Sequence, residues 1–301
     1  MMVRRGKILG TLSVMILGLC VGAGTLRAQQ PQQAPKITVH DLLPNIYWIE
    51  GGVGNVGVIV GDKGVIVIDA TSSPAAGKLA LAEIAQRTTK PVTHVIITHS
   101  DGDHVNGLAA FPAGLTIIAQ ENCKKEMETA LAAGGRGAPP KDYLPTQTYD
   151  KKLSLKIDGV RLRLMHFGPA HTSGDTMIYL PDQKVVFIGD IRASVSPDPI
   201  IHTEKNGSPA GWIRTMKELI KLNTDAYVPG HGPVLDKANM KQELAKYEAE
   251  DALIKTLVKQ GKSLDEIKQA IGTPQPAAGA GPGTPRFPLW VDTDYQEITK
   301  K

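Results

Sequence analysis

"THSDGDHVNG", residues 98–107, follows directly on the apolar run Val95-Ile96-Ile97 and carries His99, Asp101, Asp103 and His104. Alone, such a stretch reads equally as a polar turn or as half of a metal site, so its surroundings decide. "VTHVIITH" predicts a strand buried on both faces, and the spacing after it predicts a helix that begins inside the motif. Three further segments share this grammar. "MHFGPAHTSGDT" with His171, "VVFIGD" with Asp190 and "AYVPGHG" with His231 each end an apolar strand in a polar, glycine-marked loop. Strand ends are where a rigid scaffold holds functional groups, and glycine lets backbone approach them closely. Four such endings bearing His or Asp point to one shared metal centre rather than to four unrelated turns.

Outward from these strands the pattern repeats. Residues 37–70 predict three or four strands, with Gly61-Asp62-Lys63-Gly64 turning a hairpin. "SPAAGKLALAEIAQRT" and the segment around Cys123 carry helical spacing; "LTIIAQ" lies between them as a strand, and "GGRGAPPKDYLPTQTYD" reads as a loop. From Lys152 strands return, with helices near 211–222 and 237–260 framing "DAYVPGHG". Strands with helices, twice over, predict an α/β (α+β) fold, a four-layer αββα sandwich of two mixed sheets with helices outside. The expected division is a signal peptide over 1–28, a Pro/Gln-rich linker over 29–36, one domain over 37–272 and a loosely docked Pro/Gly-rich tail over 273–301.

The first segment sets the compartment. Arg4, Arg5 and Lys7 precede an apolar run from Ile8 to Ala23, which predicts cleavage after Ala28, an exported (periplasmic or secreted) protein and no stable membrane anchor afterwards. Cleavage removes Arg4, Arg5, Lys7 and Arg27 and leaves 30 basic against 30 acidic residues. A chain without net positive charge or a basic run offers nothing to nucleic acid at long range, so the expected partner is a small-molecule substrate. Cys123 is then the remaining cysteine, a packed thiol rather than a nucleophile.

In order and spacing, His99, Asp103, His104, His171, Asp190 and His231 resemble the metallo-β-lactamase superfamily. Its motif HxHxDH is followed by a His in a "GxxHT" context, an Asp closing a "GD" strand and a His in "GHG". The likeness covers about Ile37 to Ile271, including "GGVGNVGVIV" and "VIVIDA". It implies the αββα sandwich and a binuclear centre. One ion would be held by His99, Asp101 and His171, the other by Asp103, His104 and His231, with Asp190 bridging. It also implies a hydrolase that directs a metal-held hydroxide at an ester, thioester, lactone or amide, with Asp103 orienting it.

Asp101 is the departure, standing where the family usually has its second histidine. Three carboxylates among seven ligand-type residues shift preference from zinc, the first expectation, towards iron or manganese. That keeps a di-iron or mono-iron oxidoreductase open, as in the flavin-linked branch of the family, although no flavodoxin-like domain accompanies it here. A non-catalytic, metal-stabilised binding protein is the third possibility. β-Lactamase activity is not favoured, because Asp190 replaces the cysteine of the best-known subclass and Ala193 stands where its substrate-gripping lysine would be. Arg192 and His202 are candidates for contacting substrate. Bland readings suffice for His94 and His166 in strands, His40 at the surface, Asp175 capping a turn and "GGVGNVG" as a hairpin loop.

Overall fold

The computed structural model describes residues 36–134, 139–193, 196–273 and 287–300. The expected leader, all of the linker before Lys36 and the stretch 274–286 lie outside the described residues. The N-terminal half forms a seven-stranded sheet of β1 (Ile37–Leu43), β2 (Ile46–Gly51), β3 (Val56–Val60), β4 (Val65–Ile68), β5 (Val92–Ile96), β6 (Thr116–Gln120) and β7 (Gln147–Tyr149), in that order. β1 to β4 form an antiparallel meander, and β4 to β7 run parallel, joined through α1 (Pro74–Arg87), α2 (Gly102–Val105) and α3 (Glu121–Ala132). The second sheet is ordered β12-β11-β10-β9-β8, from β8 (Lys152–Ile157), β9 (Val160–Met165), β10 (Met177–Leu180), β11 (Val185–Ala193) and β12 (Ala226–His231). Its outer side carries α4 (Pro209–Lys221), α5 (Lys237–Lys259), α6 (Leu264–Ile271) and α7 (Trp290–Thr299).

Three apolar layers explain why the strands read as unbroken hydrophobic runs. In β4 the side chains of Val65 and Val67 join Ala80, Ile84 and Leu108 under the helices. Those of Ile66 and Ile68 join Ile178, Val185 and Phe187 between the sheets. A strand covered on both faces has no polar side to show, so alternation disappears. The helices start where the sequence supplies caps. Ser73 accepts from Ala76 N before Pro74, and Ser208 accepts from Gly211 N before Pro209, each satisfying an otherwise unpaired amide.

Two segments differ from the sequence expectation. The loop after α3 adds an edge strand, β7, and a short 3₁₀ turn at Lys141–Tyr143 whose tyrosine hydroxyl donates to Phe111 O at 2.9 Å. The end of the chain is not a loosely docked tail. Trp290 is fully buried, its ring 4.8 Å from that of Tyr247 and 5.4 Å from that of Trp212. Leu289, Trp290, Val291, Tyr295 and Ile298 pack against the outer core at helical spacing. A buried indole contributes on the order of 4–6 kcal/mol by area alone, enough to dock the helix.

Candidate metal centre

One edge of the sandwich collects the ends of β5, β9, β11 and β12, and there the structure brings all seven sequence candidates together. Asp101 ends the loop after β5 and precedes α2, which carries Asp103 and His104 on its first turn. His171 follows β9, Asp190 lies within β11 and His231 closes β12. The two sheets are tied at this edge: Thr176 N donates to Thr98 O at 2.7 Å, and Asn55 donates its side-chain amide to Pro229 O and Gly232 O at 3.0 and 2.9 Å.

Nitrogen and oxygen atoms of His99, Asp101 and His171, of Asp103, His104 and His231, and of His99, His104 and Asp190 form three groups, each within 4.8 Å. Nε2 of His104 lies 3.4 Å from Nε2 of His231 and 3.4 Å from Asp190 Oδ1. Nε2 of His231 lies 3.2 Å from Asp103 Oδ2 and 3.3 Å from Asp190 Oδ2. Nε2 of His171 lies 3.2 Å from Asp101 Oδ2.

The donor set fits divalent ions. Buried His99 Nε2 has no hydrogen-bond partner, although burying a polar atom unpaired costs about 1–3 kcal/mol. The opposite ring nitrogens of His99, His104 and His171 are engaged, as is usual for metal-binding histidines. His171 Nδ1 donates to Ile200 O at 2.7 Å, and His104 Nδ1 meets Asp69 Oδ2 at 2.8 Å. His99 Nδ1 meets Thr98 Oγ1 at 2.9 Å, and that hydroxyl in turn donates to Asp69 Oδ2 at 2.7 Å. Asp69 thus orients two ligands from a left-handed backbone conformation, φ 62°, a strain that persists only where the surroundings enforce it. Gly230 is equally constrained, since a Cβ there would sit 2.0 Å from Asp190 Oδ1.

The protonation balance also suits cation binding. Burial and the neighbouring His104 press His99 well below its usual range, so it stays neutral. Burial pushes His171 and His231 down, but hydrogen bonds to Asp101 and to Asp103, respectively, outweigh it and raise both to about 9. His104 is likewise raised despite burial, by the charges of Asp190 and Asp69. Burial favours neutral carboxyls, yet the imidazoles keep Asp190 well below the usual range and Asp103 at about 2.

A cavity of about 540 Å³ opens over the cluster. Val53, Pro197, Ile200, Phe287 and Leu289 form its apolar wall, and His202 borders it. Among the described residues that line it, none is lysine or arginine. Arg192 is not part of it: its Nε reaches Glu243 Oε2 on α5 at 2.5 Å. Strict alternation would put Arg192 on the same face as Asp190, but the register slips between Gly189, at φ 51°, and Ala193, which re-aims the side chain. His202 reaches Asp101 Oδ2 at 3.0 Å. The remaining candidates keep their structural readings: buried Asp175 accepts from Thr172 N and Oγ1, His166 Nδ1 donates to Asp175 O, and Cys123 is a buried free thiol. Asp69, Lys205, Phe287 and Leu289 carry no role in the sequence reading, although Asp69 lies within "VIVIDA", a stretch that carries the family likeness.

The sequence pattern of the Metallo-beta-lactamase superfamily matches residues 49–231. Among curated proteins the chain is 26% identical over 236 residues to the alpha subunit of 2,4-dinitroanisole O-demethylase from Nocardioides sp. (strain JS1661), covering 77% of this chain and 69% of that one. It is 23% identical to a linear primary-alkylsulfatase from Pseudomonas sp. (strain ATCC 19151), covering 75% of this chain and 51% of that one. A type 2 metallo-beta-lactamase from Bacillus sp. (strain 170) is 24% identical, with 75% and 92% covered. Of solved structures, a metallo-beta-lactamase from Pontibacter korlensis superposes with a TM-score of 0.59 at 18% identity, over 71% of this chain and 99% of that one. A stereoselective inverting sec-alkylsulfatase from Pseudomonas sp. superposes with a TM-score of 0.65 at 16% identity, over 86% and 49%. The chain therefore spans about half the length of both alkylsulfatases. At these identities the structural likeness speaks for the fold. A family pattern that runs through six of the seven clustered side chains and ends on the seventh, His231, establishes that the chain belongs to the metallo-β-lactamase superfamily.

Proposed function

We propose that the protein is an exported metal-dependent hydrolase acting on an uncharged ester, thioester, lactone or amide with an apolar substituent. The carrying observation is that five of the seven ligand-type side chains, Asp101, Asp103, His171, Asp190 and His231, line a cavity together with the apolar Val53, Pro197, Ile200, Phe287 and Leu289, with no lysine or arginine among the described residues of its lining. Four histidines and three carboxylates suit zinc first, with iron or manganese as alternatives. Two bound divalent ions would supply Lewis acidity to the substrate's acyl oxygen and acidify water to near neutrality. His99 and His171 with Asp101, and His104 and His231 with Asp103, would hold them, with Asp190 within reach of both sets. Asp103, ionised throughout the neutral range, accepts a hydrogen bond from the attacking water and fixes its direction. Val53, Ile200, Phe287 and Leu289 exclude bulk water from the apolar part of the substrate.

The test is turnover of p-nitrophenyl acyl esters of increasing chain length, together with thioesters, lactones and a cephalosporin, with and without a chelator. Chelator-sensitive turnover that rises with acyl length and spares carboxylated substrates supports this reading, whereas turnover indifferent to chelation rejects it. The relatives' names add an aryl methyl ether and an alkyl sulfate to the panel. Among the described residues of the lining no lysine or arginine is present to meet a sulfate, which places that substrate behind the uncharged ones. A second reading, an iron oxidoreductase, rests on the three carboxylates; zinc alone by elemental analysis, with no iron-dependent oxygen consumption, removes it. A binding protein with an inert centre is rejected by any turnover that His104→Ala abolishes. Export rests on the N-terminal pattern and is checked by cell fractionation.

A further inference from the structure

Asp101 is the one member of the centre whose residue type departs from the family motif, and it is also the one held by a lysine. Its Oδ1 is bonded by Lys205 Nζ, which also donates to Ser100 Oγ at 3.0 Å. Ser100 passes the link to Glu126 at 2.6 Å, and Glu126 accepts from Ser173 Oγ at 2.6 Å. The lysine is therefore tied to the loops that carry His99 and His171. Its own loop is docked: His202 N donates to His171 O, and Lys205 N and Gly207 N both donate to His202 O, each at 2.9 Å. Meanwhile Asp101 Oδ2 faces His171 Nε2 at 3.2 Å and His99 Nε2 at 3.7 Å.

An imidazole offers an ion one nitrogen and no charge, whereas a carboxylate offers two oxygens and one negative charge. Lys205 occupies one oxygen and cancels the charge. The geometry points to Lys205 as a positioning residue that makes Asp101 a single-oxygen ligand through Oδ2, so that the Asp101–Lys205 pair stands in for the missing histidine. The inference rests on the metal-centre reading of the site.

The experiment titrates the full chain, stripped by chelator, with Zn²⁺ and separately with Mn²⁺ by calorimetry, and counts retained ions after dialysis. Wild type should take two ions. Lys205→Met should keep one unchanged and bind the other about 10–100-fold more weakly, the usual effect of losing a ligand's outer partner. Lys205→Arg, which keeps the charge and a donor, should recover most of that affinity. In an Asp101→His background, Lys205→Met should cost nothing, because no carboxylate remains to be neutralised. The inference is overturned if Lys205→Met binds both ions as wild type does, binds more tightly, loses both equally, or loses as much in the Asp101→His background. A wild-type chain that takes one ion overturns it while leaving a hydrolase possible; one that takes none rejects the metal centre itself.

Discussion

In the half-site of Asp103, His104 and His231, a carboxylate lies behind the imidazole: Asp69 Oδ2 meets His104 Nδ1 at 2.8 Å, leaving Nε2 for the centre. In the half-site of His99, Asp101 and His171 the carboxylate lies in front, and the group behind it is the Lys205 ammonium. Ligand and counter-charge have exchanged places. Each arrangement presents one donor atom to the cluster and balances the charge behind it, which shows how a motif can lose a histidine and keep a usable donor. Position in the chain differs too. Asp69 is 35 residues from its partner, whereas Lys205 is 104 residues from Asp101, on a loop between β11 and α4.

Each half can be broken separately. The largest effect is expected from His104→Ala, which removes a ligand shared by two of the three atom groups. Losing several kcal/mol of metal-supplied stabilisation corresponds to about a 10³-fold fall in kcat, read from steady-state kinetics on any substrate turned over. Asp69→Asn should be milder and unequal between the halves, because Asp69 meets His104 directly and His99 only through Thr98. The ion held by Asp103, His104 and His231 should bind about 10–100-fold more weakly and the other should weaken less, the reverse of the order expected for Lys205→Met, as calorimetry would show. Equal weakening of both ions would erase the distinction between the halves.

Proton release compares the halves in another way, because His171 belongs to one and His231 to the other and both are raised to about 9. A raised folded-state value means that their ion pairs stabilise the metal-free protein fully below the unfolded value, near 6.5, and less as pH climbs through 9. Ion uptake at pH 7 should therefore release more than one proton per chain, and apparent affinity should rise to about pH 9 and then level. Calorimetry in two buffers of different ionisation enthalpy measures this, and uptake without proton release would contradict it. The smallest effect is expected at Arg192, whose guanidinium is spent on Glu243 outside the cavity. Arg192→Met should leave kcat/KM within about twofold, as substitutions away from a site usually do.

The sandwich and the seven clustered side chains were legible because strand-end loops must place their donors within a few residues of an apolar run. That constraint writes His99, His171, Asp190 and His231 into local sequence. What acts from a distance is not written in this way. Asp69 looks like any aspartate closing a strand until the fold brings Thr98 and His104 against it. Lys205 sits in an unremarkable surface-like stretch, and nothing beside Arg192 in the sequence points to its partner Glu243, 51 residues away. The last helix was hidden by the proline and glycine before it, although the apolar spacing from Leu289 to Ile298 was present.

Everything proposed for the centre turns on Asp101 being a working ligand of one of two ions. Elemental counting on wild type and Asp101→Ala, purified side by side without added metal, tests it most directly. Two ions per chain in the wild type and one in the variant is the predicted result; equal counts in both would contradict it.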